Sequence, residues 1–278
     1  MEATPKPRRY AEYAAVDQGM LERVCLQLAT AMGGLMRTDL TVVGGYVPRL
    51  LVRQDGLAAA DRHCGTTDID LGLSLALLEG EQYEAIEKRL VASSFYADRN
   101  EQGNPTRQRW CAPGGPPVTV DFLIAGPDGG GLQNLTGELA AVRTPGLQLI
   151  ARDFVIVQLT GTNLDGVTLT RDVRVCGPGA FVVLKARANR DRDEPKDALD
   201  MTYVLTHYEG GVEAVADRLR PLLDDPDARE AVAWLREDFG SIDSIGPLRV
   251  AVFLQAAGDD ALQADAHGLV RRLLQLLD

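Results

Sequence analysis

No stretch of this chain stays apolar for the roughly 18 residues that a bilayer-crossing helix needs, so no membrane partner is expected. The opening MEATPKPRRY shows no apolar core behind its basic residues and does not read as a secretory leader. Basic charge is scarce as well: 29 Lys and Arg stand against 40 Asp and Glu, a net charge of −11. Such a chain has no global field to draw in nucleic acid, and any such binding needs a local basic face. The four cysteines, Cys25, Cys64, Cys111 and Cys176, form no C-x-x-C pair. His63-Cys64, the sole adjacent His/Cys pair, has no partner at metal-ligand spacing. They read as separate buried thiols in a reducing compartment, and a cytoplasmic protein is expected. No internal repeat is present.

What is present is enough for one large or two ordinary domains: 278 residues, 45% hydrophobic and 25% charged, as in ordinary globular proteins. Residues 41–43, Thr-Val-Val, are β-branched and read as a buried strand. Gly44-Gly45 breaks that strand, and residues 46–52 have the spacing of a helix start. Such a strand–glycine–helix turn leaves free backbone N–H groups with no Cβ in the way, which suits a phosphate. Further on, Asp68 and Asp70 alternate with Ile69, Leu71 and Leu73, so one face of a strand carries both carboxylates. Hard oxygen donors at that spacing suit Mg²⁺ together with substrate phosphates. A phosphate cradle followed by an acid pair implies a nucleoside triphosphate.

The flanking segments give the architecture. The apolar spacing from Tyr10 to about Met36 predicts one amphipathic helix packed on a sheet, and residues 80–92 predict another. Residues 93–111 hold a strand or two, ending in Arg107-Gln-Arg-Trp110, before a Gly/Pro turn at 113–117. The strand at 118–124 places Thr119, Asp121 and Leu123 on one face. Asp121 is a lone acid in an apolar strand, costly unless paired or bound to a cation, and it could complete a trio with Asp68 and Asp70. The glycine-rich loop at 126–137 reads as a flexible hairpin connection. Short β-rich runs follow up to residue 175, then helices near 178–189, 195–207, 211–223, 226–238, 247–257 and 259–277. The fold class is mixed α/β (α+β): residues 1–176 as an α/β domain with a mixed sheet and flanking helices, and residues 177–278 as a helical bundle.

Residues 185–200 crowd Lys185, Arg187, Arg190, Arg192 and Lys196 beside Asp197 and Asp200. Charge pattern alone favours a salt-bridged, solvated helix pair. The alternative has Lys185 reaching triphosphate oxygens, with Asp197 or Asp200 as base or orienting group.

Together, Gly44-Gly45, T-x-D-I-D-L about two dozen residues on, a lone Asp in a later strand, and K-x(4)-R-x(5)-K-D-x-x-D at 185–200 resemble the DNA polymerase beta-type nucleotidyltransferase superfamily. Within it, the chain resembles the AbiEii/AbiGii toxins, including the MenT-type toxins of toxin–antitoxin pairs. The resemblance implies a polymerase-beta-like mixed sheet and a two-metal, Mg²⁺- and NTP-dependent nucleotidyltransferase. Asp68, Asp70 and Asp121 would hold two Mg²⁺ ions; Lys185 and Asp200 would complete the catalytic set. Gly44, Gly45, Thr67, Lys185, Arg190, Lys196 and Asp197 would contact the nucleotide. The acceptor implied is RNA, at the acceptor end of tRNA, reached through a local basic patch, with translation blocked and a cognate antitoxin protein as a further partner. A small-molecule nucleotidyltransferase acting on a cationic, aminoglycoside-like acceptor is the alternative.

Overall fold

Alternation of apolar and polar residues builds one mixed sheet in this computed structural model, which describes residues 7–74, 80–114, 118–127 and 130–278. Nine strands form it: β1 (Leu40–Val43), β2 (Asp68–Leu73), β3 (Tyr96–Arg99), β4 (Pro105–Cys111), β5 (Thr119–Ala125), β6 (Leu132–Asn134), β7 (Ala140–Thr144), β8 (Phe154–Thr162) and β9 (Thr168–Cys176). Their order is β3-β4-β5-β2-β1-β9-β8. β4 pairs with the first half of β5, and β7, itself paired with β6, takes the second half. β2 runs parallel to β5 and β1 parallel to β9, while β1–β2 and the remaining pairs on the main path are antiparallel. The first six residues of the expected N-terminal arm, residues 115–117 of the expected turn and residues 128–129 of the glycine-rich loop lie outside the described residues.

Two compact units divide the chain: residues 17–47 with 67–176, and residues 1–16 with 48–66 and 177–278. The sequence predicts two domains, 1–176 and 177–278; here 1–16 and 48–66 group with the C-terminal helices. In the sheet unit, Ile69, Leu71, Val120, Phe122 and Ile124 are fully buried on one face, each worth roughly 1.5–3 kcal/mol of transfer free energy. The helix expected from Tyr10 to about Met36 is three pieces: α1 (Tyr10–Ala14), α2 (Gln18–Met32) and α3 (Leu35–Thr38). Asp17 makes the first break, because its carboxylate accepts from the N–H groups of Gly19 and Met20 and starts a new helix. Gly33, at φ +57°, makes the second. α2 packs its buried Leu21, Val24, Leu28 and Met32 against β8, β9 and α5 (Gly80–Ala92).

In the helical unit, α6 (Pro178–Asp191), α7 (Lys196–His207), α8 (Gly211–Leu219), α9 (Pro226–Asp238), α10 (Ile245–Phe253) and α11 (Asp260–Leu277) follow in order. Gly179 lets α6 cross α8: a Cβ there would lie 2.7 Å from the backbone of Arg218 and Leu219. Tyr13 and Cys64 pack on Phe253 in the same unit. The four cysteines are free and buried. Among the described residues, no helix is long and apolar enough to cross a membrane.

Candidate active site

The sheet register brings the acids together. Asp70 of β2 pairs with Asp121 of β5, and Asp68 lies two residues earlier on the same face. Paired residues of neighbouring strands share a face, so all three carboxylates emerge on one side, opposite the buried Ile69, Val120 and Phe122 row. All three are half-buried. Further along this face, Gly72 is covered: a Cβ there would meet Ile150 at 2.6 Å and Leu147 at 3.4 Å.

Gly44 shapes the same place from the end of β1. Its φ is +70°, and a Cβ would lie 1.8 Å from Oδ2 of Asp70 and 2.7 Å from its Cγ. Both the backbone conformation and the space therefore demand glycine. The space a side chain would take at position 44 holds the Asp70 carboxylate. Gly44–Tyr46 form a single 3-10 turn, followed by α4 (Val47–Leu51), which has five residues. The helix expected after the glycines is thus short, and its contribution to anion binding is correspondingly small. Thr67 is half-buried in the bend that leads into Asp68.

Arg109 is the residue that sequence reading missed. It sits opposite Asp121 in the β4–β5 register. Its Nε and Nη2 each donate to one oxygen of Asp121, both at 2.7 Å. That fork, together with the charges of Asp121 and Asp68, holds the guanidinium pKa above its ordinary value against the opposing effect of burial. The donor chemistry of Asp68 and Asp70 fits a hard divalent cation, and Gly44 leaves Asp70 its room. Asp121 fits only when Arg109 releases it. As placed, no three His, Cys, Asp or Glu side chains among the described residues are grouped to hold a metal ion.

In the helical unit, Lys185, Lys196, Asp197 and Asp200 form a buried ion network, while residues 190–193 between them stay on the solvated face. Lys185 donates to Asp197 at 2.8 Å and Asp200 at 2.6 Å, and Lys196 donates to Asp200 at 2.7 Å. Arg192 grips Asp197 through two bonds of 2.7 and 2.9 Å. Burial opposes charge on Lys185, Asp197 and Asp200, but their mutual attraction wins: the lysine pKa is raised and both carboxylates are lowered. Arg190 pairs with Asp238 and Glu237, and Arg187 with Asp227 and Glu230. The basic run expected to form an open patch is thus matched by acids of its own unit.

His63, read from sequence only as half of an adjacent His/Cys pair, completes this network. Its Nδ1 accepts from the N–H of Gly65 at 3.1 Å, so the proton sits on Nε2, which donates to Asp200 at 2.8 Å. Burial pushes its pKa down to about 4, although Asp200 opposes the shift. Gln54 orients the loop by accepting from the His63 N–H and from the hydroxyl of Tyr203. A single histidine in a loop leaves no periodic signal, so only the fold reveals it.

No protein-family model matches the chain, and no curated protein matches it. Among solved structures it is similar to the crystal structure of an antigenic nucleotidyltransferase-like protein from Paracoccidioides brasiliensis, at 13% identity and a TM-score of 0.43, over 79% of this chain and 88% of that one. A likeness of that size leaves the reading of the site to rest on its own residues.

Proposed function

We propose that the chain is a divalent-cation-dependent nucleotidyltransferase, and the observation that carries this is the in-register trio Asp68, Asp70 and Asp121 beside Gly44. Three carboxylates sharing one half-buried face repel one another, Arg109 offsets part of that charge, and a divalent cation is the ligand whose charge suits them while bridging to the phosphates of a nucleotide. Asp68 and Asp70 would hold the cation, with Asp121 joining on release from Arg109. When bound, Mg²⁺ would polarise the α-phosphate and lower the pKa of the attacking hydroxyl. The protein's own part is positional: β2 and β5 fix the acids, Gly44 keeps Asp70 in place, and Gly45 and Thr67 flank the nucleotide.

For the acceptor, the motif resemblance favours RNA, at the acceptor end of tRNA, with the chain as the toxin of a toxin–antitoxin pair. The roles that this resemblance implies would require Lys185, Arg190 and Lys196 to exchange their present carboxylate partners for phosphate, leaving Asp197 and Asp200 with fewer countercharges. That engagement, with the net charge of −11, favours a second reading: a cationic small molecule of aminoglycoside type as acceptor. Incubation with each α-labelled NTP, Mg²⁺, total RNA and a panel of aminoglycosides separates them. Label on RNA supports the first reading and label on a drug the second. No transfer of label from any NTP to either class of acceptor contradicts both.

A further inference from the structure

We infer that Arg109 is a built-in competitor of the divalent cation, a positioning residue that holds Asp121 until metal arrives. The inference rests on the reading of the acid trio as a metal site. Both oxygens of Asp121 are taken by the guanidinium fork, at 2.7 Å each. Arg109 also feels the charges of Asp68 and, outside the trio, of Asp98, so its cation is not devoted to Asp121 alone. The geometry allows exchange. The Asp121 side chain is 13% exposed and fixed in the sheet, whereas the Arg109 side chain is 42% exposed and flexible enough to leave.

A guanidinium fork on both oxygens of one carboxylate competes with a metal ion for their lone pairs and for the same negative charge. Arg109 therefore lowers the affinity of the nucleotide-free protein for metal and keeps the trio from collapsing apart by like-charge repulsion. Once displaced, the guanidinium carries its positive charge beside the acids, where a phosphate of the incoming nucleotide is its natural partner. Metal and nucleotide would then bind in favour of each other, through one side chain that both release.

The test is Mn²⁺ binding to the nucleotide-free full chain, read by electron paramagnetic resonance of the free ion. Removing a charge-assisted fork predicts that Arg109→Gln binds Mn²⁺ at least about tenfold more tightly than the wild type. The gain disappears in Arg109→Gln/Asp121→Asn, because it depends on the freed carboxylate. Should Arg109→Gln fail to fold by circular dichroism, Arg109→Lys carries the test and shows a smaller tightening, since a lysine keeps the charge without the fork. Unchanged or weaker Mn²⁺ binding in the folded variant, with the wild type binding normally, overturns this inference and leaves the proposed function standing. No Mn²⁺ binding by the wild type or any variant overturns both.

Discussion

Replacing Gly44 by alanine asks whether the space at β1's end exists for Asp70. The added Cβ would lie 1.8 Å from Oδ2 of Asp70, a separation no carbon and oxygen tolerate. A φ of +70° costs a non-glycine residue about 1–2 kcal/mol. Driving Asp70 from its rotamer adds about 0.5–1.5 kcal/mol, and disturbing its polar surroundings adds about 1 kcal/mol. The single substitution should therefore cost roughly 3 kcal/mol. With Asp70→Ala, the nearest remaining atom of residue 70 is Cβ, at 3.0 Å, so Gly44→Ala on that background should cost little more than the backbone strain. The assay is urea unfolding followed by circular dichroism for the four members of the cycle. The expected coupling is on the order of 1–2 kcal/mol, well outside the additivity of independent sites. Equal costs of Gly44→Ala in both backgrounds would refute the argument that the glycine is there for the carboxylate.

The ion network offers further checks. His63 has a folded pKa of about 4 against an ordinary 6.5, so the unfolded chain takes up a proton first as pH falls. Stability should thus be full above pH 6.5 and decline toward pH 4, by an order of 3 kcal/mol for this group; denaturation midpoints across that range should flatten in His63→Gln. Lys185→Met would strip Asp197 and Asp200 of a buried partner and should cost roughly 3 kcal/mol, measured by the same unfolding; a loss below about 1 kcal/mol would show that Arg192 and Lys196 suffice. Asp17→Ala removes the cap that starts α2 and should lower stability by about 1 kcal/mol; an unchanged midpoint would mean that packing alone sets where α2 begins.

Local chemistry made much of this legible in advance. Alternation in 68–73 and 118–124 placed Asp68, Asp70 and Asp121 on strand faces, and Gly177-Pro178 marked the start of α6, with the proline at its first turn. The Asp70–Asp121 register was not readable, because about fifty residues separate strands that pair only in the folded sheet. Arg109 stayed hidden for the same reason: its partner lies across β4–β5, and nothing in Arg107-Gln-Arg-Trp110 says which arginine faces the acids. The charge run at 185–200 misled in a different way. Its bases and acids interleave as they would on a solvated helix pair, yet Lys185, Lys196, Asp197 and Asp200 are buried and pair with one another between α6 and α7, while Arg187 and Arg190 find their acids on α9, more than forty residues away. Segments 1–16 and 48–66 gave no sign of grouping with the C-terminal helices, since the contacts that join them, such as Tyr13 on Phe253 at 5.8 Å between ring centroids, are equally non-local.

The most direct measurement is Mg²⁺-dependent pyrophosphate release, with acceptor present, by the wild type and by Asp70→Asn, each verified as folded by circular dichroism. The account predicts release that requires the metal in the wild type and falls at least a thousandfold, on the order of 4 kcal/mol of lost transition-state stabilisation, in the variant. Undiminished release by a folded Asp70→Asn chain would contradict it.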